Sequence, residues 1–333
     1  MLNLLSGRAA KAHYHGGMLA VHLENGAVAT RTVPVPERPP GFALLRLMAG
    51  GICNTDLELQ RGYYGFTGTP GHEFVAEVVE TDDGALVGKR VVGEINLNCT
   101  HCEWCLRGMG RHCPNRTVLG IVQHPGAFSE FFTLPERNLH VLPEGIPVER
   151  AVFTEPLAAA CEILEQVSIP PHEPIAVLGD GKLGLLVSQV LNAHGYKVVQ
   201  FGRHMDKLRI AEGCGVCVEV TNGSLPAAEY DWVVEATGSP EGLRLAAAMA
   251  RPRGTVILKS TIHGHVPVDT APIIVNEITL VGSRCGRFEQ AIPLLDHALI
   301  QVEEMIAARF PLSQAPAAFR KAAERGVLKV LLE

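Results

Sequence analysis

The chain has 333 residues, 47% of them hydrophobic and 19% charged, and a formal net charge of −6. That length allows two domains with separate cores, and the apolar content excludes a disordered chain. The acidic balance argues against a nucleic-acid binder, which needs a basic face, and no run of about 18 apolar residues exists to span a bilayer.

Residues 1–17, MLNLLSGRAAKAHYHGG, lack a basic segment followed by a long apolar one. No secretory leader is expected, and the chain reads as cytoplasmic. Nine cysteines in such a chain point to metal ligands or buried thiols before disulfides. Up to about residue 150, Gly and Pro punctuate short β-branched runs. VHLENGAVATRTVPVP, FALLRLMAGGIC, FVAEVVE and KRVVGEI read as strands between turns. From Glu155 the texture changes. PIAVLG, YKVVQFG, DWVVEATG, GTVILKS and ITLVGS read as strands. KLGLLVSQVLNAHG, MDKLRIAEGCG and EGLRLAAAMA read as helices among them, the pattern of a doubly wound parallel sheet. FEQAIPLLDHAL is expected to be a further helix and KVLLE a closing strand. The fold class is α/β, a mostly-β domain joined to a doubly wound one.

CTHCEWCLRGMGRHC sets Cys99, Cys102, Cys105 and Cys113 in a C-x2-C-x2-C-x7-C pattern. Four thiolates fill the tetrahedral shell of zinc and leave no place for substrate, so this is read as a closed, structural site. An iron–sulfur cluster is the alternative, since Pro114 follows the last cysteine. Against it, the last gap is seven residues rather than three, and no second set of cysteines exists. An open site is then expected elsewhere. Cys53 lies in GICNTDLE, and His72 with Glu73 in TPGHEF. Thiolate plus imidazole is a zinc-like set that lacks one or two ligands. TEPLAAACE offers two candidates to complete it, Glu155 and Cys161.

VLGDGKLG contains G-x-G-x-x-G as Gly179, Gly181 and Gly184, directly after a strand and opening a helix. In that context the first glycine permits the turn, the second the approach of a pyrophosphate, and the third close packing of helix on strand. Lys182, Leu183, Lys207 and Thr237 are further cofactor-site candidates. The end of the next strand reads Gly202, Arg203, His204 where an NAD site usually has an acid. A guanidinium suits a 2′-phosphate, so NADP is favoured over NAD; Arg203 as a solvated loop residue is the other reading. Cys214 and Cys217, a C-x2-C pair, are expected to be packing residues. His263 and His265 are expected in a loop.

These residues resemble the zinc-dependent medium-chain dehydrogenase/reductase superfamily, in its polyol, sugar and threonine dehydrogenase branch. The resemblance rests on GICNTD, GHE, the four-cysteine lobe, EPLA, VLGDGKLG and EATG, in the family's order over nearly the whole chain. It implies a GroES-like catalytic domain at 1–149 and 290–333, with a structural zinc lobe at 96–116, and a Rossmann domain at 150–289. It implies a catalytic zinc on Cys53, His72 and Glu155, with Glu73 an exchangeable fourth ligand. Thr55 matches the hydroxyl that receives the substrate proton. Glu58 stands where the family often has the histidine of the relay, and Ala76 where it usually has glycine. Asn54 replaces the arginine that some relatives place on the pyrophosphate, and that contact is given to Lys329.

The implied activity is hydride transfer between an alcohol, a polyol or sugar among them, and NAD(P), an EC 1.1.1 reaction with two zinc ions per chain. The implied assembly is a homodimer or homotetramer. The alternatives are a zinc-free quinone or enone reductase of the same superfamily and a silent zinc-stabilised binding protein.

Overall fold

The computed structural model describes residues 17–262 and 265–333, so the segment read for a leader and His263 lie outside the described residues. It divides into two compact units. The first runs to Glu155 and resumes at Ile306–Glu333; the second is Pro156–Met305. The expected boundary at 290 would cut through the helix Phe288–Asp296. That helix stays with the second unit because Arg287, at its N-cap, binds Glu165 at 3.0 Å, and Gly286 packs on the Ala158 carbonyl.

In the first unit Met18–Glu24 and Ala27–Val33 form a hairpin. Its two turn residues, Asn25 and Gly26, both have positive φ, as such a tight turn requires. A seven-stranded sheet follows, in the spatial order Leu139–Val141, Arg90–Gly93, Glu73–Glu80, Phe42–Gly51, Lys329–Leu332, Ile306–Phe310, with Phe131–Pro135 also paired to Phe42–Gly51. The core beside it gathers Val21, Leu23, Ile52, Leu57, Phe128, Phe319 and Val330. Each such side chain, fully buried, contributes about 1.5–3 kcal/mol. Among the elements not expected from sequence are the helices Asn54–Gln60 and Ala315–Ala322. Both are short and bury one face only, so their periodicity is weak.

The second unit is a six-stranded, all-parallel sheet. Its spatial order is Cys217–Val220, Val198–Gly202, Ile175–Leu178, Tyr230–Glu235, Ala250–Leu258, Thr279–Gly282. Counted along the chain that order is 3-2-1-4-5-6, the doubly wound arrangement. The order reverses between Ile175–Leu178 and Tyr230–Glu235, and the crevice beyond the ends of those strands is where such sheets bind ligands.

Candidate zinc and dinucleotide sites

The four-cysteine lobe is built almost entirely from one stretch of chain. Sulfur–sulfur separations are 3.5 Å for Cys99–Cys113 and Cys102–Cys105, 3.7 Å for Cys102–Cys113 and 3.9 Å for Cys99–Cys105. Thiolates at about 2.3 Å from a tetrahedral zinc lie roughly 3.8 Å from one another, so the sulfurs fit the ion. Thr100 takes a left-handed φ of 66° and bonds the Cys99 carbonyl at 2.7 Å, bending the chain around the cluster. The backbone N–H of His101, then that of Cys102 and the neighbouring thiols, draw Cys99 down to about 6. Desolvation and the same neighbours push Cys105 up to about 12. Bare, Cys99 and Cys105 are driven in opposite directions; a divalent cation would favour the thiolate of both.

The second group is assembled from distant positions. Cys53 is the N-cap of the helix Asn54–Gln60, and its N–H donates to Asp56 Oδ2 at 2.8 Å. His72 and Glu73 stand where the chain enters the strand Glu73–Glu80. Ligand atoms of Cys53, His72 and Glu73 all lie within 4.8 Å of one another. Asp56, fully buried, receives the Gly71 N–H at 3.2 Å and sits 3.4 Å from His72 Nδ1. That is an ion-pair distance without hydrogen-bond geometry, and Nδ1 has no other partner. Burial pushes the His72 ring down, and the Asp56 carboxylate outweighs it and holds the ring well above its ordinary value. With Nδ1 turned to Asp56, Nε2 is the nitrogen left for a metal, the carboxylate–histidine arrangement of zinc sites. Glu73 Oε1 is likewise buried without a partner. An orphaned carboxylate oxygen beside a thiol and an imidazole fits a site made for an ion.

Glu73 Oε2 pairs with Lys329 Nζ, both side chains 1% exposed. Burial lowers the Lys329 ammonium, and the carboxylate reverses this and raises it. Gly51 makes the room, since a Cβ there would come within 2.5 Å of Glu73 Oε2. This corrects the expectation for Lys329. Its ammonium is sealed against Glu73 and is not presented to a pyrophosphate. Thr55 Oγ1 is 3.7 Å from Cys53 Sγ. Glu58, half-buried, binds Arg61 at 2.6 Å. Glu155 lies half-buried in the first turn of the helix Thr154–Gln166 and is not one of the three residues whose ligand atoms converge. Cys161 is sealed in the second unit, its thiol pushed up to about 12 by burial and by Glu165, which suits packing and not ligation.

In the second unit Gly179 has a φ of +127°, and a Cβ there would meet the Ala236 carbonyl at 2.4 Å. A Cβ at Gly184 would meet the Gly179 carbonyl at 2.3 Å, whereas at Gly181 it would enter open space. The glycines thus form a tight turn with a free face at the start of the helix Lys182–Ala193, a cradle that fits a pyrophosphate. Gln200, wholly buried, fixes the loop by donating to the Gly179 carbonyl at 2.8 Å and accepting from Ser188 at 2.7 Å. Thr237 donates through its N–H and hydroxyl to buried Glu235 at 2.8 and 2.6 Å. Lys182, Leu183 and Lys207 are half-buried, and Arg203 is exposed. Of the expected packing cysteines, Cys214 is half-buried and bonds Gln189 at 3.0 Å, while Cys217 is exposed on a strand of the sheet edge. Cys217 is therefore not a packing residue. His265 is exposed outside any helix or strand.

Sequence reasoning missed Asp56, Gly51, Gln200 and Asp180. Only Asp56 left a signal, an acid three residues after Cys53 at a helix start, as in a capping box.

Models of two families match the chain, the alcohol dehydrogenase GroES-like domain at residues 39–144 and the zinc-binding dehydrogenase at 183–298. Over 323 residues the chain is 30% identical to D-arabitol-phosphate dehydrogenase of Enterococcus avium, covering 90% of this chain and 92% of that one. It is 29% identical over 316 residues to erythritol/L-threitol dehydrogenase of Mycolicibacterium smegmatis, covering 85% and 87%. A zinc-binding dehydrogenase structure from Sinorhizobium meliloti 1021, bound to NADP, matches with a TM-score of 0.87 at 28% identity, covering 96% and 99%. No helix among the described residues is long and apolar enough to cross a membrane. The chain belongs to the zinc-dependent medium-chain dehydrogenase/reductase superfamily, enzymes that exchange hydride between an alcohol and NAD(P).

Proposed function

We propose that this chain is a dehydrogenase of polyols or related sugar alcohols, with one catalytic and one structural zinc and with NADP favoured over NAD. The observation that carries this reading is the convergence of Cys53, His72 and Glu73 on one point, with Asp56 and Lys329 buried behind them. The polyol class is supported by the named activities of the two sugar-alcohol relatives. Cys53, His72 and the family's Glu155 would hold the catalytic ion, with Glu73 an exchangeable fourth ligand, and the four-cysteine lobe would hold the other.

Bound there, zinc would supply a Lewis acid for the alcohol oxygen, and the dinucleotide would supply the hydride acceptor. Asp56 keeps the His72 ring turned so that one nitrogen faces the ion. The Thr55 hydroxyl, beside Cys53, accepts the substrate proton and passes it toward solvent. Glu58, tethered by Arg61, takes the outer place in that relay. Arg203, with Lys207 one turn on, receives the 2′-phosphate. The chain works in the cytoplasm as a homodimer or homotetramer. The edge strand Thr279–Gly282 offers unpaired backbone and an exposed Leu280 for such a contact.

Metal analysis and a substrate panel test the reading together. Two zinc per chain with polyol-dependent reduction of the dinucleotide is expected. One zinc without turnover would indicate a silent binding protein, and none a quinone reductase.

A further inference from the structure

The strand Val198–Gly202 ends at Gly202 and runs on into Arg203 and His204 without an acid of its own, yet a carboxylate stands there. Asp180, between the first two glycines of the Gly-rich loop, lies against Gly202. A Cβ at Gly202 would come 2.6 Å from Asp180 Cβ and 2.8 Å from its Oδ2. Asp180 therefore fills the volume that a side chain at 202 would take.

Its hydrogen bonds are one-sided. Oδ2 accepts the N–H of Arg203 at 2.6 Å and of His204 at 2.7 Å, and faces His204 Nδ1 at 2.9 Å. Oδ1 accepts none from the described residues, and it is not one of the sealed, unpartnered atoms. From the other side the Thr221 N–H and hydroxyl hold the Gly202 carbonyl at 2.7 and 3.2 Å. The turn is thus pinned at both faces, with one carboxylate oxygen left over. Burial opposes ionisation of Asp180, but the His204 ring and the two N–H groups outweigh it and hold the carboxyl below its usual range.

In NAD-binding sheets of this order, an acid at the end of the second strand accepts hydrogen bonds from the adenosine ribose. We propose that Asp180 performs that role from the Gly-rich loop, with Oδ1 accepting from the ribose diol and Gly202 left without a side chain to make room. The inference rests on the dinucleotide reading of this unit. NAD offers Asp180 both ribose hydroxyls, whereas NADP offers one hydroxyl and brings a phosphate close to the carboxylate. Asp180 and Arg203 then pull cofactor choice in opposite directions.

The test is equilibrium binding of NADH and NADPH to the full chain, followed by nicotinamide fluorescence. In Asp180→Asn the amide oxygen still accepts the two backbone N–H groups, but its NH2 replaces the free acceptor. NADH binding is expected to weaken about tenfold or more, the loss typical of a hydrogen bond to a charged group. NADPH should hold or tighten. Titrations with 5′-AMP and adenosine 2′,5′-bisphosphate, which carry only this end of the cofactor, should repeat the contrast. Unchanged NADH affinity would overturn the proposal, and so would equal weakening of both cofactors, since Asp180 would then merely brace the turn. Arg203→Ala judges the separate preference for NADP. If it leaves NADPH affinity unaltered, that preference fails while the Asp180 contrast is still read from NADH.

Discussion

The two cysteine-bearing groups of the first unit are assembled in opposite ways. In the lobe all four ligands fall within fifteen residues, and their sulfurs lie 3.5–3.9 Å apart around a locally bent chain. The other group draws Cys53 from a helix N-cap and His72 and Glu73 from the start of a strand. It keeps two buried charges, Asp56 and Lys329, behind them. A metal that only holds shape can be served locally and saturated. A metal that must leave room for substrate needs ligands fixed by separate rigid elements, with counter-charges to hold them.

Replacing one cysteine in each site breaks that comparison most sharply. Cys53→Ser should lower turnover by about three orders of magnitude, since a Lewis acid is worth several kcal/mol at roughly 1.4 kcal/mol per decade. The chain should keep its melting temperature, its lobe zinc and its dinucleotide binding. Cys99→Ser should reverse the pattern, with several kcal/mol of stability lost in denaturant titration and the catalytic zinc retained. Equal effects of the two substitutions on turnover would erase the distinction.

A second test concerns the counter-charges. Lys329→Met leaves the Glu73 carboxylate buried and unpaired, and should cost the metal-free chain about 3–5 kcal/mol in urea unfolding. Adding Glu73→Gln should recover most of that loss. A single variant as stable as the parent would mean that the pair is not sealed from water. The smallest effect is expected for Asp56→Asn. It should weaken zinc at the Cys53 site about 10–100-fold in chelator competition and leave the lobe zinc untouched.

How much of this was legible in the sequence follows from how local each feature is. The lobe could be read from spacing because its geometry is fixed within one loop. The Gly-rich turn could be read because strand, glycines and helix are contiguous. The Glu73–Lys329 pair spans 256 residues, and nothing near either residue announces it. Lys329 was expected on the pyrophosphate, and its burial against Glu73 was not foreseen, because burial is a property of the sheet that closes over it. Asp180 escaped for a different reason. Ribose recognition was sought at the end of the second strand, while the carboxylate came from the neighbouring loop and filled the space left by Gly202. The boundary at 290 failed because a resemblance carried by motifs does not show which unit the helix Phe288–Asp296 packs on.

The strand Lys329–Leu332 pairs with Gly50 and Gly51, just ahead of Cys53, and carries the lysine that neutralises Glu73. It is joined to the rest of its unit only after Pro156–Met305 has been made in full. During synthesis, therefore, the contiguous second unit has all its strands first, and the unit begun earlier waits. Until then Glu73 has no cation beside it and the sheet next to Cys53 has an open edge. The Cys53 group is thus completed late in the life of the nascent chain, long after the four cysteines of the lobe have been made.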